Sequence, residues 1–314
     1  MRVLVTGAAG MLGSSLVPEL ARAGYAVVAT DVDTVVARPW GTRGPTLCDL
    51  DVRVAGDVFD AFDEIGPDLV VHLAAETSLE ECEREPEAAA ATNAIGTQNV
   101  ALAAQRADVP IAYVSTAGVF DGQKPAPYDE FDEAHPINRY GATKLAGERI
   151  VQQLCDRHYI ARAGWMLGGG RAKDHKFVSL MLDQLERGRT RLYAVGDRLG
   201  TPTYALDFSR CFVNLLDSGL YGLYHMSGRG IASRYDVAAK ILEILGRTDV
   251  ELVQVSSAYF EKEYFAPRPR SEVMRNLALE IHGIDGMRPW EESLEDYLNA
   301  HFADAIADVR VAEV

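Results

Sequence analysis

The chain has 314 residues, with 31 Lys and Arg against 46 Asp and Glu, for a formal net charge of −15. So acidic a chain excludes a nucleic-acid coat or a binder of anionic membranes, because both need a broad positive surface to displace counterions. With 48% hydrophobic and 25% charged residues, the composition is that of a folded protein large enough for about two domains. Cys48, Cys82, Cys155 and Cys211 are too far apart for a CxxC pair and too few for a disulfide scaffold, which reads as reduced thiols in a cytoplasmic protein. The N-terminus lacks the apolar core of a signal peptide, and no run of 18 apolar residues suggests a membrane span.

In chain order, short β-branched runs alternate with helical periodicity. Strands are predicted over residues 2–6, 26–30, 46–50, 69–73, 111–114 and 159–162, and helices over 11–23, 54–65, 87–107 and 140–157. Right-handed crossovers turn this pattern into an α/β fold, a Rossmann-like doubly wound parallel sheet whose ligands bind beyond the strands' carboxyl ends. After residue 162 the pattern loosens. Gly168-Gly169-Gly170 is followed by a helix over 177–187, by Pro202-Thr203-Tyr204, by helices over 205–216 and 234–245, and by a strand over 222–226. The shift divides the chain into a dinucleotide-binding domain over 1–162 and a smaller, mainly substrate-binding α/β domain over 163–314. Parts near 203–227 are able to return to the sheet, and 308–314 reads as a frayed tail.

Between the first strand and its helix lies Gly7-Ala8-Ala9-Gly10-Met11-Leu12-Gly13. Glycines are required where a chain turns tightly, approaches a pyrophosphate by its backbone, or packs a helix close to a sheet. Asp31 ends the second strand 18 residues beyond Gly13. A carboxylate there accepts both ribose hydroxyls of NAD and repels a 2′-phosphate, so NAD(H) is favoured, with NADP(H) the alternative and Asp33 a competing ribose ligand. Asp51-Val52 is a candidate for the adenine edge, or else a solvated turn.

Thr116 follows the fifth strand, and 24 residues later comes Tyr140-Gly141-Ala142-Thr143-Lys144. On a helix, Tyr140 and Lys144 share one face. An ammonium beside the phenol is expected to lower its pKa from about 10, and Thr116 to hydrogen-bond the carbonyl that Tyr140 protonates. His175 and His225 lack partners at ligand spacing, so no metal is assigned, and His225 reads as a structural histidine. Arg171, Lys173 and Lys176 beside the Gly-rich loop, and Arg268 and Arg270 further on, are cations available to phosphates.

These motifs resemble the extended short-chain dehydrogenase/reductase family over nearly the whole chain, and within it the dTDP-4-dehydrorhamnose reductase branch. The resemblance rests on Ser115-Thr116 with Val119-Phe120-Asp121-Gly122, Pro127-Tyr128-Asp129-Glu130, Tyr140-Gly141, Thr143-Lys144-Leu145 and Gly147-Glu148. It extends to Gly200, Pro202-Thr203-Tyr204, Asp207, Gly222-Leu223-Tyr224-His225, Arg268-Pro269 and Ser271, and upstream to Ala74-Ala75, Thr77, Glu85-Pro86 and Asn93. It implies NAD(P)H-dependent reduction of the C4 ketone of a nucleotide-linked deoxyhexose. Tyr140 would protonate C4 oxygen, Lys144 would hold the nicotinamide ribose, and Thr116 would orient the ketone. Ala74, Ala75 and Asn93 would lie beside the cofactor, and Thr77, Trp165, Arg268 and Arg270 beside the substrate.

The chain departs from the branch at Ala117-Gly118, where Asp-Tyr is usual, and at Glu76, where an aromatic residue is usual. The chemistry is therefore better specified than the sugar. Alternatives within the same resemblance are a nucleotide-sugar epimerase, or a non-catalytic regulatory subunit like the methionine adenosyltransferase β subunit. The Ala-rich helix over 87–107 and the helix bearing Tyr140 are expected to form a homodimer interface.

Overall fold

The computed structural model describes residues 1–34, 40 and 44–303. Its first half alternates β1 (Arg2–Thr6), α1 (Met11–Arg22), β2 (Ala26–Asp31), β3 (Leu47–Asp49), α2 (Ala55–Ile65) and β4 (Leu69–His72). There follow α3 (Leu79–Arg84), α4 (Pro86–Ala90), a π-helical turn at Ala91–Gly96, α5 (Thr97–Ala107), β5 (Ile111–Thr116), α6 (Arg139–Leu154) and β6 (His158–Ala163). The predicted single helix over 87–107 is thus interrupted. One wide turn opens at Asn93, where its side chain reaches across to Glu76 and Thr143.

The second half contains β7 (Trp165–Leu167), α7 (Gly170–Lys173), α8 (Phe177–Glu186), β8 (Arg191–Val195), β9 (Leu199–Gly200), β10 (Pro202–Tyr204), α9 (Ala205–Ser218) and β11 (Gly222–Met226). It ends with β12 (Ala232–Ser233), α10 (Arg234–Ile244), β13 (Glu251–Val255), α11 (Leu277–His282) and α12 (Trp290–His301). The sequence reading missed β8 and β13, which pair in parallel, as well as α3, α11 and α12. The expected tail over 308–314 lies outside the described residues.

All seven strands of the main sheet are parallel, in the order β11-β6-β5-β4-β1-β2-β3. Gly222–Met226 therefore returns to the sheet beside β6. Strand order reverses between β1 and β4, and this opens a crevice at their carboxyl ends. One face of the sheet is covered by α1 and α9, whose Leu16, Leu20, Phe208 and Phe212 are buried with Val3 and Val5. The other is covered by α2, α5 and α6, through Val58, Phe62, Val100 and Val151 against Leu4, Val70 and Ile111. A separate core joins α8, α10, α12, β8 and β10 around Leu182, Ile241, Leu294 and Tyr297. No helix among the described residues is long and apolar enough to cross a membrane.

Candidate active site

The glycine-rich turn occupies the crevice. Gly7 has φ +67°, and a Cβ there would lie 2.5 Å from the backbone nitrogen of Ala74 at the end of β4. A Cβ on Gly13 would lie 2.1 Å from the Ala8 carbonyl oxygen, so α1 starts hard against its own loop. Gly10 caps α1 without a side-chain bond, which leaves the first-turn N–H groups for an anion, with Met11 and Leu12 beginning the helix. Asp31 ends β2, and its carboxylate accepts from the Ala9 backbone N–H at 2.9 Å and that of Asp33 at 3.2 Å. A cradle that any side chain would fill, with a carboxylate at its rim, fits a dinucleotide.

Asp51 is held by Arg53, which donates to both carboxylate oxygens at 2.6–3.0 Å and keeps the carboxyl below its usual range. Val52 is buried in the core, and its carbonyl accepts from Asn99 at 2.9 Å. Ala74 and Ala75 border the crevice, both partly exposed, and Thr77 beyond them is exposed.

Asn93 is fully buried and braces this edge. Its side chain accepts from the Glu76 N–H at 2.8 Å and donates to the Glu76 carbonyl and to Thr143 Oγ1, both at 3.0 Å. Thus one side chain joins the loop after β4 to the helix that carries Tyr140.

Asn138 caps α6, accepting from the Gly141 N–H at 2.7 Å and donating to the Pro267 carbonyl at 2.9 Å. A Cβ on Gly141 would lie 2.1 Å from the Gly118 carbonyl oxygen, so α6 touches the turn that follows Thr116. Thr116 Oγ1 accepts from the Gly118 N–H at 3.1 Å and is a hydrogen-bonding neighbour of the Tyr140 phenol. Behind this set, Arg162 on β6 donates twice to Glu148 on α6, at 2.9 and 2.7 Å, with both side chains buried. Ser115 donates to the same carboxylate. β5, β6 and α6 are thereby fixed to one another.

Burial pushes the Tyr140 phenol up to about 12; Thr116 opposes this, while Cys82, Glu272 and Glu76 add to it. The expected lowering by Lys144 does not occur in this arrangement. Desolvation instead lowers Lys144 itself to about 7, against the opposing charge of Glu148, and its Nζ lies 4.1 Å from the Tyr113 ring centroid. His72 is buried between Thr6 and Thr97, at 2.7 and 3.0 Å, and burial, followed by the Lys144 charge, lowers it to about 3. His225 is also buried, with Nδ1 3.2 Å from the Tyr128 and Arg275 carbonyls, a structural setting.

At the other wall, Trp165 Nε1 donates to Glu272 Oε2 at 2.6 Å, and the Arg234 guanidinium lies 3.9 Å from the Trp165 ring centroid. Arg268 donates to Glu80 at 2.8 Å and to the Ala266 carbonyl at 2.9 Å. Arg270 is exposed and, with Gly196, Asp197, Arg198 and Leu199, lines an open cleft of about 430 Å³. Lys173 packs beside Gly169, near Ser14 of α1. Sequence reasoning missed Glu272, Arg234 and Arg198. None belongs to a local motif, and only packing brings Glu272 and Arg234 to Trp165.

The family model for the RmlD substrate binding domain matches residues 1–302. A dTDP-4-dehydrorhamnose reductase of Mycolicibacterium smegmatis is 32% identical over 301 residues, 95% of this chain and 85% of that protein. The crystal structure of a dTDP-4-dehydrorhamnose reductase from Clostridium acetobutylicum is similar at a TM-score of 0.86 and 35% identity, covering 96% of this chain and 99% of that one. That of the Bacillus anthracis dTDP-4-dehydrorhamnose reductase in complex with NADP gives a TM-score of 0.83 at 34% identity, covering 95% and 99%. With the match running through both the glycine-rich crevice and the Tyr140 helix, the chain belongs to the RmlD substrate binding domain family.

Proposed function

We propose that this chain is an NAD(P)H-dependent reductase of the C4 ketone of a dTDP-linked 6-deoxyhexose, as the names of its relatives describe them. The observation that carries the reading is the meeting of Thr116 and Tyr140 at the carboxyl end of β5, beside the glycine cradle at β1. A nicotinamide dinucleotide, when bound, supplies the hydride. Thr116 donates a hydrogen bond to the ketone oxygen and fixes its direction. Tyr140, at about 12, keeps its proton at neutral pH, so the phenol is available as the acid that neutralises the more basic alkoxide at C4. Lys144 sits one helical turn from Tyr140 and holds the nicotinamide ribose. Asn93 keeps Glu76 and Thr143 in place around them.

The Asp31 carboxylate supports NADH over NADPH, because a 2′-phosphate at the end of β2 would be repelled. Arg198 and Arg270 line the cleft that suits the substrate diphosphate. Arg268 is committed to Glu80 and orders the same loop. A homodimer through α5 and α6 is part of the reading, and sedimentation showing only monomer at micromolar protein would reject it.

The deciding experiment follows nicotinamide oxidation with a dTDP-4-keto-6-deoxyhexose. Consumption of one NAD(P)H per product, abolished in Tyr140→Phe while cofactor affinity stays, is expected. Product without net oxidation would make the chain an epimerase, and cofactor binding without turnover across a keto-sugar panel would make it a binding subunit. An unchanged KM in Arg270→Ala would remove Arg270 from the diphosphate.

A further inference from the structure

Gly118 leaves a gap in the wall beside the reacting centre. A Cβ built there would lie 3.5 Å from Thr116 Oγ1 and equally 3.5 Å from Glu272 Oε1. The hydroxyl that orients the ketone and the carboxylate oxygen thus both face the position a Cβ would take at Gly118, a space the size of a methyl group. The carboxylate is held rigidly, since its Oε2 accepts from the Trp165 indole at 2.6 Å. Arg234 stacks on the same indole, and its charge, with that of Arg268, opposes the effect of burial on Glu272. Oε1 has no hydrogen-bond donor among the described residues. Glu272 is partly exposed, and Oε1 is not among the buried unpaired polar atoms, so this acceptor is open to a donor on a ligand. The segment bearing Glu272 also supplies Arg270 to the open cleft, and the Glu272 N–H donates to Leu199, another residue of the cleft lining, at 2.8 Å.

We infer that Glu272 is a specificity-determining residue that accepts a hydrogen bond, through Oε1, from a donor on the ring carbon next to the ketone. This rests on the ketone-reductase reading above. Two oxygens flanking one gap address neighbouring substituents of a hexose ring: Thr116 takes the C4 oxygen, and Glu272 takes the donor at C3. That donor is a hydroxyl or a protonated amine, both of which a carboxylate accepts. Sites built to bond a substrate donor discriminate strongly against analogues that lack it, because the acceptor is then left unpaired once the bound sugar has displaced its water.

The test compares kcat/KM for dTDP-4-keto-6-deoxyhexoses carrying at C3 a hydroxyl, an amine or only hydrogen, using the full chain with NADPH and NADH. The wild type is expected to favour a donor-bearing sugar over the 3-deoxy sugar by about ten- to hundredfold. In Glu272→Ala that ratio should collapse to within about threefold, chiefly through KM, while cofactor Kd is unchanged. Glu272→Gln, whose amide keeps an acceptor for Trp165 and turns a donor to the gap, should retain part of the preference for a hydroxyl and lose any for an amine. Whichever of the two the wild type prefers identifies the donor. An unchanged ratio in Glu272→Ala, or a wild-type ratio near one, overturns the inference while leaving the reductase reading intact. Failure of the wild type to reduce any of the three sugars overturns the reductase reading, and this inference with it.

Discussion

At the residue scale, the site is controlled by burial. Lys144 is held near 7 by desolvation, well below the usual range for an ammonium. Between about pH 7 and 10, unfolded chains therefore bind a proton at Lys144 that folded chains do not, and stability rises with pH across that window by up to about 1.4 kcal/mol per unit. Replacing Lys144 with Met should remove this part of the slope, as read from melting temperatures at a series of pH values. Identical slopes for both proteins would contradict it. Asp31 makes the second case: Asp31→Ser is expected to lower the NADH-over-NADPH preference at least about tenfold in direct binding, by removing one negative charge from the place of the 2′-phosphate. The Glu148–Arg162 pair makes the third. Glu148→Ala leaves a buried guanidinium without its carboxylate, which costs about 3–5 kcal/mol, and chemical denaturation would measure the loss. The proposed reactive residues Thr116, Tyr140 and Lys144 could be named from the sequence because their spacing is local and chemical. Glu272 was not, since 107 residues separate it from its partner Trp165.

At the element scale, the proposed activity depends on the position of α6. It touches the Thr116 turn at Gly141, where backbone meets backbone and no side chain has room to yield. Gly141→Ala should therefore displace Tyr140 from Thr116 and lower kcat at least about tenfold, while NADPH affinity, which depends on the crevice at β1, changes little. Equal losses in both would place the damage in the whole fold instead. Most strands and helices of the first half were readable, because alternation and helical periodicity report burial directly. The π-turn was not. Ala-rich sequence specifies a helix but not its pitch, and the wide turn at Asn93 exists for bonds to Glu76 and Thr143 elsewhere in the chain. β8 does carry the alternation of a half-buried strand, in Arg191–Val195, whereas β13, Glu251–Val255, does not, and a short run amid helical segments gave no partner to pair it with.

At the scale of the whole molecule, α12 closes the second core. Trp290, Leu294, Tyr297, Leu298 and Phe302 are all buried there, and Arg288 and Ser293 hold Asp207 at the start of α9. Burial of five such side chains at about 1.5–3 kcal/mol each is comparable with the whole net stability of a domain. A chain ending at residue 289 should lose cooperative melting of the part built on α8, α10 and β8. Calorimetry would detect this as a missing transition, and an unaltered melting profile would contradict it. The charge of −15 acts at this scale too, as a property of the exterior. In the proposed reading, the work on two anionic ligands falls to the α1 N-terminus and a few placed cations. By itself the sequence determined the parallel α/β fold, the glycine turn and the carboxylate ending β2, and pointed to the proposed Thr116, Tyr140 and Lys144 set, since each follows from local periodicity or from the chemistry of a short motif. Tertiary structure alone decided that β11 joins the sheet, that Asn93 ties two segments together, and that Glu272 faces the gap at Gly118. Those contacts join residues far apart in the chain, and packing selects them by shape and polar pairing that no local pattern encodes.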